Sequence, residues 1–174
     1  MNNLVTQKSR LYQRSLELRD YVGLTDAQTR LAASAWPIVE PDFSSFVQDF
    51  YNEILQHEAA RRVFNGEEQV KRLQVTLRNW ISELFTSEHD EAFVARRCSV
   101  GLRHVQIGLE SVWVSAAMSR LRVQILKSLI VRFPKDRNDL HEVSSAIARL
   151  MDLDLAIIQD AYHAESVAKQ IAEQ

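Results

Sequence analysis

The sequence predicts an all-helical single domain, and three observations carry that expectation. Four glycines and three prolines in 174 residues are about 4% of the chain, against roughly 12% in an average protein. Hairpins, barrels and doubly wound sheets spend those residues at their turns, so the composition argues against sheet architectures. Between the few breakers, apolar residues recur at three- and four-residue steps, the spacing of one helix face. The length fits one domain with a real core.

The elements follow in order. Leu4, Leu11, Leu16 and Leu18 lie in a polar opening segment that ends at Gly23, which predicts a separate N-terminal helix over 1–23 ahead of a main domain over 24–174. Thr25 is placed to cap a short helix reaching about Trp36, where Pro37 stops it. Pro41 suits a first helical turn. Behind it Phe43, Phe46, Val47, Phe50, Ile54 and Leu55 predict an amphipathic helix ending near Asn65-Gly66. Val70, Leu73, Leu77, Trp80, Ile81 and Leu84 predict a helix over 67–85, and Ser87 is the candidate cap of another from about 89 to Gly108. Val112, Trp113, Ala116, Ala117, Leu121, Ile125 and Leu129 mark a long helix ending at Phe133-Pro134. Val143, Ile147, Leu150, Met151, Ile158 and Ala161 continue the last pattern almost to the end. That is about 36 residues, a rod of about 54 Å at 1.5 Å per residue, which overshoots a compact core of this size.

Several chemistries are absent. With 21 basic and 23 acidic residues interspersed and a net charge of −2, the chain shows no footprint for nucleic acid or an anionic membrane. No run of apolar residues is long enough to span a bilayer, and the N-terminus lacks a leader's apolar stretch, so a cytoplasmic protein is expected. Cys98 stands alone, which rules out an internal disulfide or a thiolate metal cluster; its plainest role is a small buried hydrophobe. Gly23, Gly66, Gly101 and Gly108 are isolated, so no phosphate loop exists. The lone Asp160-x-x-His163 has no partner of the di-iron kind, and neither a serine nucleophile elbow nor Cys-x-x-Cys occurs.

Among five histidines, His57 reads as a solvated helix end, His89 as a helix start among charges, and His141 and His163 as members of polar stretches. His104 differs. Val100 and Ile107 share its face, Gly101 removes a side chain one turn earlier, and Gly108 ends the helix one turn later. An imidazole over small and apolar neighbours suits an axial haem ligand, and equally a half-buried histidine packed on another helix. Without Cys-x-x-Cys-His, a haem would be held non-covalently. Tyr51 stands in a phenylalanine-rich helix, and Thr76 shares a face with Leu73 and Trp80 on the next. Opposite His104, such residues would form an apolar pocket with two hydroxyls, although a tyrosine there also suits plain core packing. A phenol donating to a gas ligand that takes on negative charge contributes about 1.5–3 kcal/mol, roughly ten- to a hundredfold in affinity.

The order and spacing of Phe50-Tyr51, Phe64-x-x-Glu67-x-x-Val70-x-x-Leu73-x-x-Thr76-Leu77 and Val100-x-x-x-His104-x-x-Ile107-Gly108-Leu109, with Trp113 beyond, resemble the globin-coupled sensors, the haem-binding regulatory domains of bacterial signalling proteins. The resemblance covers about residues 25–165. It implies a globin fold with an extra N-terminal helix, long last two helices and no separate D helix. It makes His104 the proximal ligand of the iron in haem b, Tyr51 the distal donor to O2 and Thr76 a second donor beside Leu73. Phe64 resembles the phenylalanine wedged against haem in globins, and Leu77, Val100, Ile107 and Trp113 become pocket neighbours. Gln106 stands where many members have arginine, which leaves the propionate and dimer contacts open. The family further implies a homodimer through the last two helices and an output domain, a diguanylate cyclase being favoured, with no enzymatic activity in this domain itself. O2 is the expected gas, with CO and NO as other ligands. A haem-free globin-like scaffold or interaction module is the rival reading, and a nitric oxide dioxygenase ranks below it because no reductase segment is present.

Overall fold

The computed structural model describes residues 2–172, with side chains from Arg10 onward. Nine α-helices and one 3-10 turn account for most of them: α1 (Asn2–Tyr21), α2 (Asp26–Ala33), α3 (Trp36–Val39), the 3-10 turn Glu40–Asp42, α4 (Phe43–Ile54), α5 (Glu58–Arg61), α6 (Glu67–Thr86), α7 (Glu91–Gln106), α8 (Ser111–Arg132) and α9 (Leu140–Ala172). No strand occurs among the described residues. Nor is any described helix long and apolar enough to cross a membrane.

Local signals set most boundaries. Gly23 takes φ +68° after α1, a left-handed turn that favours glycine. The Thr25 side chain then caps α2 by accepting from the Gln28 amide. Three expectations need correction. Pro37 does not stop a helix; α2 ends at Ala33, and Pro37 lies in the first turn of α3, where its missing N–H costs nothing. The stripe from Phe43 does not run to Asn65, because α4 ends at Ile54 and His57 takes an extended conformation before the single turn of α5. Asp90, not Ser87, caps α7: its carboxylate accepts from the Phe93 amide at 2.8 Å, while the Ser87 hydroxyl donates back to the Glu83 carbonyl. An aspartate at the cap also complements the helix dipole, which a serine does not.

Helix α9 is the axis of the molecule. From Val143 to Tyr162 it buries a continuous stripe, against which α1, α2, α7 and α8 pack. Beyond Tyr162 its residues are exposed or half-buried, so the overshoot expected from the sequence is present over 163–172. On the other side of the molecule α4 packs on α6 and α8. There Trp36 links Phe43 and Phe85, with ring centroids 5.5 and 5.6 Å away.

The chain entering α4 is tied to the end of α8 through Asp42. Its carboxylate accepts from Arg132 Nε at 2.7 Å and Nη2 at 2.5 Å, and from the Ser128 hydroxyl at 2.7 Å. The Arg132 and Ser128 hydrogen bonds hold the carboxyl down at about 2, from an ordinary value of 3.8. A carboxyl depressed in the fold contributes stability above its unfolded pKa and loses it as pH falls through the folded one. Asp42→Asn is therefore expected to be less stable than wild type at pH 6, with the gap narrowing as pH falls from about 4 towards 2. Urea unfolding of both chains across that window measures it, and a gap independent of pH would show that Asp42 is not held ionised.

Candidate functional site

His104 sits in the last turn of α7, and the end of that helix is built around it. Gly108 takes φ +74°, and the Leu109 amide donates to the His104 carbonyl at 3.0 Å while the Gly108 amide donates to that of Val105 at 3.1 Å. This pair of bonds closes a Schellman turn, in which only glycine fits the left-handed position without strain. The backbone beneath the imidazole is thereby fixed. Burial pushes the His104 pKa below its ordinary 6.5, so the ring is neutral at pH 7 and keeps a lone pair. Its Nδ1 is buried and has no hydrogen-bond partner, although the preceding turn offers carbonyls.

Gly101 has a different role from the one its position suggests. It does not open the His104 face to a flat group; it lets α7 and α9 touch. A Cβ there would stand 2.4 Å from the Ile158 carbonyl oxygen and 3.1 Å from the Tyr162 nitrogen. Its neighbour Cys98 is buried, and burial raises its thiol to about 11, so it is an inert apolar filler.

Tyr51 is 6% exposed in the middle of α4, with Phe50 and Phe64 meeting it edge-on at 5.2 and 6.1 Å between centroids. Burial drives its pKa above the ordinary tyrosine range, so the phenol keeps its proton and remains a donor. Phe64, Leu73 and Leu77, together with Val70, are half-buried against the same core. Val100 belongs to a second, smaller cluster with Val105, Leu109, Val114, Ile158 and Tyr162. Trp80 packs against both. The structure thus packs Tyr51, Phe64, Leu73 and Leu77 on the main core, while Val100 and Val105, neighbours of His104 along α7, belong to the smaller cluster that Trp80 joins to it.

The remaining candidates are exposed or half-buried. Thr76 is exposed and its hydroxyl donates to the Arg72 carbonyl at 3.1 Å, so its hydrogen is spent within its own helix. Ile107 is 37% exposed at the end of α7. Trp113 is half-buried at the start of α8, with its ring 5.8 Å from that of His57. His57 is half-exposed, as expected, and contacts Glu53. His89, expected at a helix start among charges, is half-buried near Arg19, Arg97 and Glu83: its Nε2 lies 2.9 Å from the Leu84 carbonyl and its ring packs on Phe93.

The arrangement fits haem. Trp80 Nε1 and the Tyr162 hydroxyl share with His104 Nδ1 the condition of being buried without a partner. An unpaired buried polar atom costs about 1–3 kcal/mol, and such exceptions in a native core mark places where an ion, a cofactor or water is bound. Trp80 and Tyr162 belong to the smaller cluster with Val100 and Val105, the apolar neighbours of His104 along α7. Among the described residues no three His, Cys, Asp or Glu side chains come together, so a multidentate metal centre has no basis.

Sequence reasoning missed Trp80 as the residue shared by both clusters, and it missed a buried ion pair. Arg97 and Asp154 are 0% and 1% exposed, with Nε 3.1 Å from Oδ1. Leu150, Asp154 and Ile158 stand at four-residue steps on the apolar face of α9, a pattern that could have flagged the carboxylate.

Comparison with known proteins identifies the family and the fold. The Protoglobin family model matches residues 11–167. The globin domain of a Geobacter sulfurreducens globin-coupled sensor superposes with a TM-score of 0.77 at 23% identity, covering 84% of this chain and 96% of that one. The globin domain of E. coli DosC superposes in its ferric form with a TM-score of 0.67 at 17% identity, covering 82% and 97%. Its ferrous form gives 0.67 at 16%, covering 86% and 97%. At these identities the superpositions show a shared fold.

The glycine contact is directly testable. Gly101→Ala gains about 1 kcal/mol of helix propensity, but its methyl meets a backbone oxygen that cannot swing aside, and overpacking costs about 1–3 kcal/mol or more. A net fall in Tm of several degrees is expected by calorimetry; an unchanged or higher Tm would show that α7 and α9 are not in backbone contact.

Proposed function

Because the chain belongs to the protoglobin family, we propose that it is a haem-based gas-sensing domain, binding O2 reversibly and passing its state to an output domain such as a diguanylate cyclase. The family binds haem b. The observation that carries the reading is the half-buried, neutral imidazole of His104, its Nδ1 buried without a partner, on a helix end fixed by the Gly108 turn. When bound, haem supplies an iron that takes a diatomic gas reversibly.

The protein's own residues do the rest. His104 would hold the iron, since only a neutral imidazole has the lone pair to give. Tyr51 offers a phenolic hydrogen from apolar surroundings that keep it protonated, and Phe50 and Phe64 restrict its ring. Leu73, Leu77, Val100 and Trp80 exclude water around the two groups. The Thr76 hydroxyl becomes a second donor only by giving up its bond to Arg72. In this reading the partly exposed Ile107 and Trp113 are outer neighbours of the haem.

Signalling follows from the contact between α7 and α9. A ligand that favours one position of His104 shifts α7 and, through Gly101, α9. Val123, Ile130 and Val131 on α8 and Val167 and Ile171 on α9 are exposed apolar side chains, which supports a homodimer joined along these two helices. In this reading the domain is regulatory rather than enzymatic and works in the cytoplasm, with the N-terminal extension over 1–23 packed through α1 on its α7 and α9.

Two substitutions test the reading. His104→Ala is expected to abolish stable hemin uptake, seen as loss of the Soret band. A chain that stays colourless with His104 intact, or an alanine variant with unchanged spectra, would overturn the assignment. Tyr51→Phe is expected to speed O2 release at least tenfold and CO release much less, because CO draws less charge from iron. Stopped-flow release rates decide it, and an unchanged O2 rate removes Tyr51 from the mechanism.

A further inference from the structure

The ion pair between α7 and α9 has a geometry that goes beyond filling the core. Arg97 stands seven residues before His104, two helical turns away on nearly the same stripe. Its guanidinium lies 4.4 Å from the Phe93 ring centroid and 5.0 Å from that of Trp80, and donates from Nη2 to the Trp80 carbonyl at 2.8 Å. On α9 it meets Asp154 at 3.1 Å, and on α6 it lies 3.9 Å from Glu83, itself paired with Arg96. One side chain therefore touches three helices, one turn from the close approach at Gly101.

The pair is held in an incomplete state. The approach of Arg97 Nε to Asp154 is close enough for strong attraction but too bent for a hydrogen bond, and both carboxylate oxygens lack a donor. Asp154 also walls a cavity of about 20 Å³ shared with Ser15 and Arg19 of α1 and with His89. That space admits about one water molecule. Burial pushes the carboxyl up to about 7 against the pull of Arg97, with Glu83 adding to the rise, while burial keeps His89 neutral near pH 7. A carboxyl that can hold or lose its proton in place gives the contact two arrangements rather than one.

We propose that the Arg97–Asp154 pair is a positioning joint that sets the register of the His104 helix against α9, so that displacement of either helix is felt by the other. Its consequence at the iron rests on the haem reading above; the joint itself does not.

The test compares wild type with Asp154→Asn and with the double variant Arg97→Met/Asp154→Leu. Removing one partner strands a buried charge, whereas replacing a buried pair by apolar residues of similar volume is often neutral or stabilising, so the double variant is expected to fold. Two readouts are taken on hemin-loaded protein: transfer of hemin to apomyoglobin, and the iron–imidazole stretching band. A third is taken on the haem-free chain: amide exchange over 98–106 between pH 6 and 8, corrected for intrinsic rates. In wild type, protection over that segment is expected to change with pH as Asp154 titrates. In both variants the pH response should vanish, hemin loss should rise about fivefold or more, and the band should shift. A double variant of native stability with wild-type hemin loss, band and exchange profile would show that the pair only fills space. If wild type takes up no hemin, the haem reading fails and the exchange profile alone decides the joint.

Discussion

At Gly101 two helices meet with no side chain between them, and the position of His104 depends on that contact. The Ile158 carbonyl occupies the space where any other residue would carry its Cβ. Helix α7 is thereby pressed on the helix that runs the length of the molecule, and the Gly108 turn ends it one turn beyond the imidazole. The two glycines act for opposite reasons. Gly101 is needed for its lack of volume in an ordinary helix, Gly108 for a left-handed backbone in open surroundings. Together they place one ring with little freedom to move.

The two sides of the site are held by different forces. Tyr51 is positioned by edge-on aromatic packing, which is short in range and insensitive to pH. The His104 side combines backbone contact with a buried ionic cluster, so its register responds to charge. Trp80 joins them: its ring packs against both hydrophobic clusters and its carbonyl receives Arg97. Aromatic packing thus holds the phenol, while backbone contact and an ionic cluster hold the helix that carries the imidazole.

Helix identity was legible because apolar residues recur at helical steps in most long elements, and the Thr25 cap and the glycine turns marked true boundaries; on α8 the buried face follows Val114, Met118, Leu121, Ile125 and Leu129, and Val112 is exposed. What misled was local ambiguity. Pro37 is compatible with both the end of one helix and the first turn of the next, and only the packing of Trp36 against Phe43 and Phe85 selects the second. Phe43 to Asn65 read as one stripe because His57 carries no breaker signature, yet its extended backbone separates α4 from α5. In the site, Tyr51 and His104 stood out as polar groups on apolar faces. Arg97 did not, because beside Arg96 it looked like an ordinary charged run, and its partner lies 57 positions further along the chain. Gly101 was read as space for a ligand, since a sequence cannot tell which neighbour takes the room a missing side chain leaves.

Cys98 stands on α7 three residues before that glycine, buried and held as a thiol. Oxidants and alkylating reagents act on the thiolate, which the folded chain withholds. The residue is thus a natural clock for breathing of the seam between α7 and α9: its modification rate counts openings there without any label being introduced.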